Sequence, residues 1–362
     1  MTSVIFPPYA AAAGQHPFIP PRQQVFVPSR VPPHPAAASR RRFLAGACAS
    51  AVALGLGGMA GCGNTAAPLR IASNAWPGYE PLYLARELGL LDTDRVRLIE
   101  LLSATDCMQA LAAGTVEGAG LTLDEVLTVR TEGLELTVVQ IFNFSAGADM
   151  ILARPGIGRM ADLAGGRVGV EQTALGALML ASALELNDMP ADSVERVLLT
   201  ADEQREAFLA GQVDAVVTFE PVASQLLAAD AVRVFDSRAI PGRIVDVLAV
   251  SPAALERSDG ALRHLVEAYF TALAHIRTQP QDAAYRMAPR LGVSPQDVRK
   301  ALAGLHMPDA AENRELLLPP ATALHETALR LQDIMLANGL LPHRQSLDGL
   351  FDHRFLPELE AA

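Results

Sequence analysis

The chain has 362 residues, half of them hydrophobic, with 40 acidic against 29 basic side chains and a formal charge of −11. The composition is that of a globular rather than a disordered protein, and the length points to two domains instead of one core. The acidic balance excludes a protein that grips a phosphate backbone, which needs concentrated Lys and Arg, so no nucleic acid is expected as a partner.

The charge is spread unevenly. Residues 1–61 contain five arginines and no acid, which leaves the other 301 residues at net −16. Residues 1–38 hold nine of the 25 prolines and no apolar periodicity, and are expected to be a disordered preface. Ser39-Arg40-Arg41-Arg42-Phe43-Leu44 then leads into the small, apolar run Ala45–Met59, which ends at Ala60-Gly61-Cys62. A basic n-region, a short apolar h-region and a small-residue cleavage site have the layout of a signal peptide over 39–61. The run is too short and too rich in glycine to span a membrane as a stable helix. Ser-Arg-Arg-x-Phe-Leu resembles the twin-arginine export signal of bacteria, and Ala60-Gly61-Cys62 resembles a lipobox, although Met59 stands where Leu is commoner; Cys62 is thus the expected lipidation site. The long preface before the n-region leads us to expect translation from an internal codon such as Val31. With Cys48 in the signal and Cys62 lipidated, Cys107 is left alone, and a lone thiol is expected to be a small buried hydrophobe in a helix.

From Leu69 onward short β-rich runs alternate with helical ones. Strands are expected at 69–76, 96–102, 118–122, 136–143 and 149–153, with helices at 80–88, 106–113 and 123–131. After Arg154-Pro155-Gly156 a second series runs through strands at 168–171, 194–199, 213–219, 232–235 and 244–250 and helices at 175–186, 202–210 and 221–228. Beyond Ser251 the chain is mostly helical, with 262–276 the best-marked amphipathic segment. Such alternation implies βαβ units and a mainly parallel sheet. An internal echo links the two series: Gly114-Thr-Val116-Glu117 and Gly211-Gln-Val213-Asp214 both close a helix, pass a Val and an acid, and enter a strand.

Open α/β sheets bind ligands outside the carboxyl ends of their strands, so the strand ends are the candidate site. The first ends at Asn74-Ala-Trp76-Pro-Gly-Tyr79, with the only Trp of the chain. These two aromatics offer flat apolar area with polar handles for a ring or a cation, the lesser alternative being Trp76 as a lid on the core. Thr122, Asp124 and Glu125 follow the third strand, where Thr122 or Asp124 can also be a helix cap. Asn143, Ser145 and Asp149 form a polar corner. In the second series, Glu171 and Thr173 open a helix that Thr173 can simply cap, and Glu220 precedes Pro221 in a first helical turn, favourable for a carboxylate with or without a ligand.

The string Asn74-Ala-Trp76-Pro-Gly78-Tyr79-Glu80-Pro81-Leu82-Tyr83-Leu84-Ala85, the Ala113-Gly114-x-Val116-Glu117 turn, Asp162-Leu-Ala-Gly165-Gly166-Arg167-Val168-Gly169-Val170, and Gly211-Gln-Val213-Asp214-Ala-Val-Val217-x-x-Glu220-Pro221 resemble the nitrate/sulfonate/taurine and thiamine-pyrimidine group of ABC-importer substrate-binding lipoproteins. The resemblance runs from about Leu69 to about Ile276. It implies an α/β, two-lobed periplasmic binding protein fold (type II), each lobe a mainly parallel sheet flanked by helices, with a ligand cleft between them. The expected organisation is lobe 1 over 69–153 and 247–307, lobe 2 over 154–246, and a C-terminal helical tail, 308–362, packed on lobe 1. Hinges are expected near 153–155 and 244–247. The resemblance also implies export to the bacterial periplasm or cell surface, a monomer held to the membrane by its lipid, and delivery of a small molecule to an ABC permease driven by ATPase subunits. Matching positions make Trp76 and Tyr79 the ring-contacting face, with Thr122, Asp124, Asn143, Ser145, Asp149, Thr173 and Glu220 as polar contacts.

A sulfonate or nitrate site needs positive potential. The strand ends carry Asp124, Glu125, Asp149, Glu171 and Glu220 with no Arg before Arg154, which favours an amine or aminopyrimidine ligand over a simple anion. Some relatives with this fold use pyridoxal phosphate to make the thiamine pyrimidine. That chemistry needs a lysine Schiff base, and the only lysine, Lys300, lies in a late helix. His264 and His275 fall on the amphipathic helix, and no hydrolase, metalloprotease or phosphate-loop signature occurs. No catalytic residue, metal or cofactor is therefore expected, and a binding protein is expected rather than an enzyme.

Overall fold

The computed structural model describes residues 67–171 and 173–358. The preface, the signal peptide and Cys62 lie outside the described residues.

A first sheet takes its strands from both sides of a second. The chain runs β1 (Leu69–Ser73), α1 (Glu80–Glu87), β2 (Val96–Glu100), α2 (Ala104–Ala112), β3 (Gly118–Thr122), α3 (Leu123–Thr131) and β4 (Thr137–Ser145). It continues with β5 (Asp149–Ala153), β6 (Arg167–Val170), α4 (Ala174–Leu186), β7 (Glu195–Leu198), α5 (Ala201–Leu209), β8 (Ala215–Phe219), α6 (Val222–Leu227) and β9 (Val232–Asp236). After β10 (Val245–Val250) come the helices α7 (Pro252–Arg257), α8 (Asp259–Thr278), α9 (Pro280–Leu291) and α10 (Pro295–Ala303), the short β11 (Leu305–His306), α11 (Ala310–Leu317) and α12 (Thr322–Ala337). The first sheet has the order β11-β4-β10-β3-β1-β2 and the second β7-β6-β8-β5-β9.

The expected two-lobed α/β architecture is present, but the sheets are mixed rather than mainly parallel. In the first, β1 is parallel to β2 and β3, whereas β10 is antiparallel to β3 and β4. In the second, β6 is parallel to β7 and β8, whereas β5 is antiparallel to β8 and β9. The reversed strands β5 and β10 are the ones that open and close the passage through the second lobe. The same fact corrects the expected boundary at 153/154. Gly147, at φ +120°, turns the chain after β4, and the apolar strand Asp149–Ala153 already belongs to the second sheet, so the outward crossing is 146–148 and the return is 237–244. The two crossings are stitched together: the Ser145 and Ser237 hydroxyls are 2.8 Å apart, and Gly147 N donates to Ser237 Oγ at 2.7 Å.

Strand periodicity explains the packing. Along β5, Ile151 and Ala153 join the core beneath α4, while Met150 and Leu152 join Phe208, Ala223 and Leu226 on the opposite face. β10, apolar except for Asp246, is buried throughout between β3 and β4. Helix ends follow their local sequence: Ser103 Oγ accepts from Asp106 N at 3.1 Å to start α2, and α2 and α5 give way to Gly114 (φ +66°) and Gly211 (φ +72°), the left-handed conformation glycine adopts without strain. The tail packs on the first lobe. Asn313 accepts from Ile141 N and donates to Ile141 O on β4, Gln345 donates to Leu127 O and Thr131 Oγ1 on α3, and Val138 bridges to Phe351.

Candidate functional site

The carboxyl ends of both sheets meet around a small cavity of about 20 Å³, enough for a single water, at the cleft between the lobes. From the first lobe it is lined by Asn74, Trp76 and Tyr79 after β1, Ala104 on α2, Thr122 and Glu125 at the β3–α3 junction, and Asp246 on β10. The second lobe contributes Asp149 at the start of β5, Glu171 after β6, Leu175 on α4, and Phe219 at the end of β8.

The aromatic wall is held by a chain of hydrogen bonds. Tyr79 OH donates to Asp246 Oδ1 at 2.7 Å, Asn143 Nδ2 donates to Asp246 Oδ2 at 2.7 Å, and Trp76 Nε1 donates to Asn143 Oδ1 at 3.1 Å. Every member of this relay is buried, so each bond satisfies a group that would otherwise be stranded. Two glycines make room for it. A Cβ on Gly78 would lie 1.7 Å from Asn143 Oδ1, and one on Gly120 would lie 3.0 Å from the Tyr79 ring. Trp76 reaches across the cleft, its ring centroid 5.6 Å from that of Phe219 in an edge-on contact.

The opposite character of the cavity is acidic. Glu125 Oε2 accepts from Thr122 N at 2.9 Å, but Oε1 is buried without a partner, as is Oδ2 of Asp149. Glu171 Oε1 accepts from Thr105 Oγ1 at 3.3 Å, a bond from the second lobe to the first. Burial, with further repulsion from Glu125, pushes the Asp149 and Glu171 carboxyls up to about 7. Burial raises Glu125 too, and it raises Asp246 well above the usual carboxylate range, with Asp149 adding to the effect. Among the described residues, no Arg, Lys or His lines the cavity. The walls therefore offer hydrogen-bond acceptors and negative potential on one side and aromatic area on the other.

The expected contact residues divide. Trp76, Tyr79, Thr122 and Asp149 line the cavity. Asn143 stands one bond behind it, in the relay. Asp124 is fully buried beside Glu125 and does not reach the cavity, because it follows Leu123 into the packed first turn of α3; burial and the Glu125 charge raise its carboxyl. Ser145 is used at the crossing, where its hydroxyl meets Ser237 and accepts from Asp149 N at 3.3 Å. Thr173 caps α4, its Oγ1 accepting from Gly176 N at 3.4 Å. Glu220 bends back onto its own helix and accepts from Ser224 N at 3.1 Å and Ser224 Oγ at 3.0 Å. Glu125 and Glu171 stood out only as strand-end carboxylates. Asn74, Phe219 and Asp246 were missed. The signal for Asp246 was available: a single acid inside Val245-Asp-Val-Leu-Ala-Val250 cannot be explained by a solvent-facing alternation, since its neighbours on both faces are apolar.

Three comparisons bear on this geometry. The family model described as NMT1/THI5 like matches residues 76–283. No match was found among curated proteins. Among solved structures, the chain is similar to the alkanesulfonate-binding protein SsuA from Xanthomonas axonopodis pv. citri bound to MOPS, at 19% identity over 77% of this chain and 95% of that one, with a TM-score of 0.65. It is similar to the ligand-binding component of an ABC-type import system from Staphylococcus aureus with zinc bound, at 13% identity over 80% and 98%, with a TM-score of 0.66. It is also similar to the desulfurization enzyme DszB, in a complex of a mutant form with biphenyl-2-sulfinic acid, at 22% identity over 80% and 98%, with a TM-score of 0.56. At these identities the likeness fixes the fold, which is that of the periplasmic binding proteins.

Proposed function

This chain belongs to the NMT1/THI5-like family, and on that premise we propose that it is the substrate-binding component of an ABC importer, capturing a nitrogen-bearing aromatic ligand, such as an aminopyrimidine or aryl amine, between its lobes. The observation that carries the reading is the cavity itself: Trp76, Tyr79 and Phe219 present ring faces and edges, while Glu125, Asp149 and Glu171 present carboxyls with no cation among the lining residues described. The cavity of this conformation admits no more than a water, so the lobes must part to admit a ring; it would then lie against the aromatic wall with its N–H groups toward the two stranded acceptors, Glu125 Oε1 and Asp149 Oδ2. A sulfonate would bring negative charge to a wall that already lacks a counter-charge, which separates this ligand class from the alkanesulfonates of the SsuA structure.

Binding rather than catalysis is favoured by the chemistry of the available nucleophiles. Cys107 is buried and burial raises its thiol, and the Lys300 ammonium lies outside the cavity, paired with Asp297 Oδ1 at 2.8 Å. The proposal includes export, anchorage through a lipid on Cys62, action as a monomer, and delivery to a permease and its ATPase. The lobes are residues 67–145 with 245–307, and 149–236, with the tail on the first. The deciding experiment is a thermal-shift panel on the mature protein. We expect 4-aminopyrimidine and benzylamine to raise the melting temperature while taurine, butanesulfonate and nitrate leave it unchanged. Stabilisation by the sulfonates alone would reject the ligand class.

A further inference from the structure

Glu125 and Asp246 belong to the first lobe and Asp149 and Glu171 to the second, yet all four line one small cavity. We propose that closure of the cleft is a charge-neutralisation switch: the two lobes can share this cavity only when protons or a cation neutralise the carboxyls they bring together, so a cationic ligand is taken up in exchange for protons. This rests on the ligand-binding reading for the identity of the cation, but the switch itself is a property of the empty protein.

Two observations carry it. First, Glu125 Oε1 and Asp149 Oδ2 are buried with no partner at hydrogen-bond distance, in residues each 2% exposed, and only Thr122 and the Thr173 hydroxyl offset the burial of Glu125, so the site holds unused acceptor capacity. Second, the groups facing these two carboxyls from the surrounding elements are Asp124 on α3, Glu171 after β6, Glu220 after β8, Asp246 on β10, and the neutral Tyr79 and Cys107. The lysine that acts on Glu220, Lys300, is engaged by Asp297. Like charges gathered from opposite sides of a hinge store repulsion, and opening lets water solvate them. Thr105–Glu171 and Trp76–Phe219 join the lobes across the cavity, beside Ala174 and Leu178 of α4, which pack into the first lobe's core; such short-range contacts hold the lobes together only where the charge does not force them apart.

The test needs no natural ligand. Small-angle scattering of the ligand-free protein is expected to give a smaller radius of gyration at pH 5.5 than at pH 8, and the Glu125→Gln/Asp149→Asn double variant is expected to give the smaller radius at both. A wild-type radius unchanged between the two pH values, or a double variant that opens at pH 8 as the wild type does, overturns the switch. The ligand arm uses benzamidinium, a planar cation charged across this range, with benzamide as its neutral isostere. Benzamidinium at pH 8 should restore the smaller radius; at pH 5.5 its binding should release protons, in calorimetry repeated in buffers of different ionisation enthalpy, and over that acid range its affinity should rise about tenfold per pH unit for each proton exchanged. Equal binding of both compounds without proton release overturns the exchange while leaving ligand binding intact. A pH-responsive radius with no binding by either compound supports the switch and counts against the ligand class.

Discussion

At the start of β1, Arg70 donates its backbone N–H and guanidinium to Glu117 and bonds the Gly114 carbonyl; at the start of β6, 97 residues later, Arg167 makes the same set of bonds to Asp214 and Gly211. The opposite ends of these sheets carry acids as well, and there Glu125, Asp149 and Glu171 line a cavity with no cation among its described residues. The two ends differ in electrostatics accordingly. Burial pushes Glu117 up, but the Arg70 hydrogen bonds outweigh it and its carboxyl lies below the usual range; the Arg167 side chain likewise lowers Asp214. At the cleft, burial prevails and the carboxyls rise. One pair of elements, used twice, thus closes its outer corner with a matched ion pair and leaves its inner corner unmatched. Unmatched buried charge is a cost to the fold, which a protein retains where a ligand supplies the partner.

The largest effect separating the two ends is expected in the pH dependence of the ligand-free protein. Asp149 and Glu171 titrate near 7 when folded and near 4 when unfolded, so between those values the folded state binds more protons. Stability should therefore fall as pH rises from about 4 to about 7, by on the order of 4 kcal/mol for Asp149 alone if the cleft stays shut, and by less if it opens. Urea unfolding from pH 4.5 to 8 measures this. A stability that rises over that interval would show that the cleft carboxyls are matched after all.

Next in size is Asp246→Ala. It leaves the Tyr79 hydroxyl and Asn143 Nδ2 buried without acceptors, and about 3 kcal/mol should be lost, together with the ring geometry of Trp76. Asp246→Asn, which keeps the shape and an acceptor, should cost clearly less by the same urea measurement. Equal losses would mean that volume, not the relay, holds the aromatic wall.

Much of this was legible in the sequence, for identifiable reasons. The elements follow local signals: Gly114 and Gly211 after helices, an alternation of β-rich and helical runs, and caps such as Ser103. The Gly-x-Val-acid echo anticipated the repeated corner, although its Arg partners lie in other strands and were not read from it. Strand direction was not legible, because periodicity is the same in parallel and antiparallel strands; only the pairing of β5 and β10 reveals the mixed sheets. At the site, the residues after β1 and β3 were found because strand ends mark clefts. Side-chain aim was not available, so Glu220, which turns back onto Ser224, could not be told from Glu171, which crosses to Thr105.

A smaller effect is expected from Gly78→Ala. The added Cβ must displace Asn143 or the Trp76 ring, and such overpacking costs about 2 kcal/mol. Because the displaced atoms belong to the relay, amine binding by calorimetry should weaken at least about tenfold, whereas Gly89→Ala, with open space around it, should leave binding unchanged.

The smallest effects belong to the matched corners, and their equality is the point. Arg70 with Glu117, and Arg167 with Asp214, are partly exposed pairs, so Arg70→Ala and Arg167→Ala should each cost no more than about 1 kcal/mol despite the number of bonds drawn. Their pH signature should be the reverse of the cleft's. Glu117 and Asp214 have lowered folded values, so their contribution is present above about pH 4 and disappears as pH falls through those values. The difference between wild type and either variant should therefore shrink in acid, and also in high salt, which screens exposed pairs. Parallel unfolding curves for the two variants at pH 7 and pH 3 would show that the repeated corner does the same work in both lobes. A loss confined to one lobe would make the echo a resemblance of sequence without a shared energetic role.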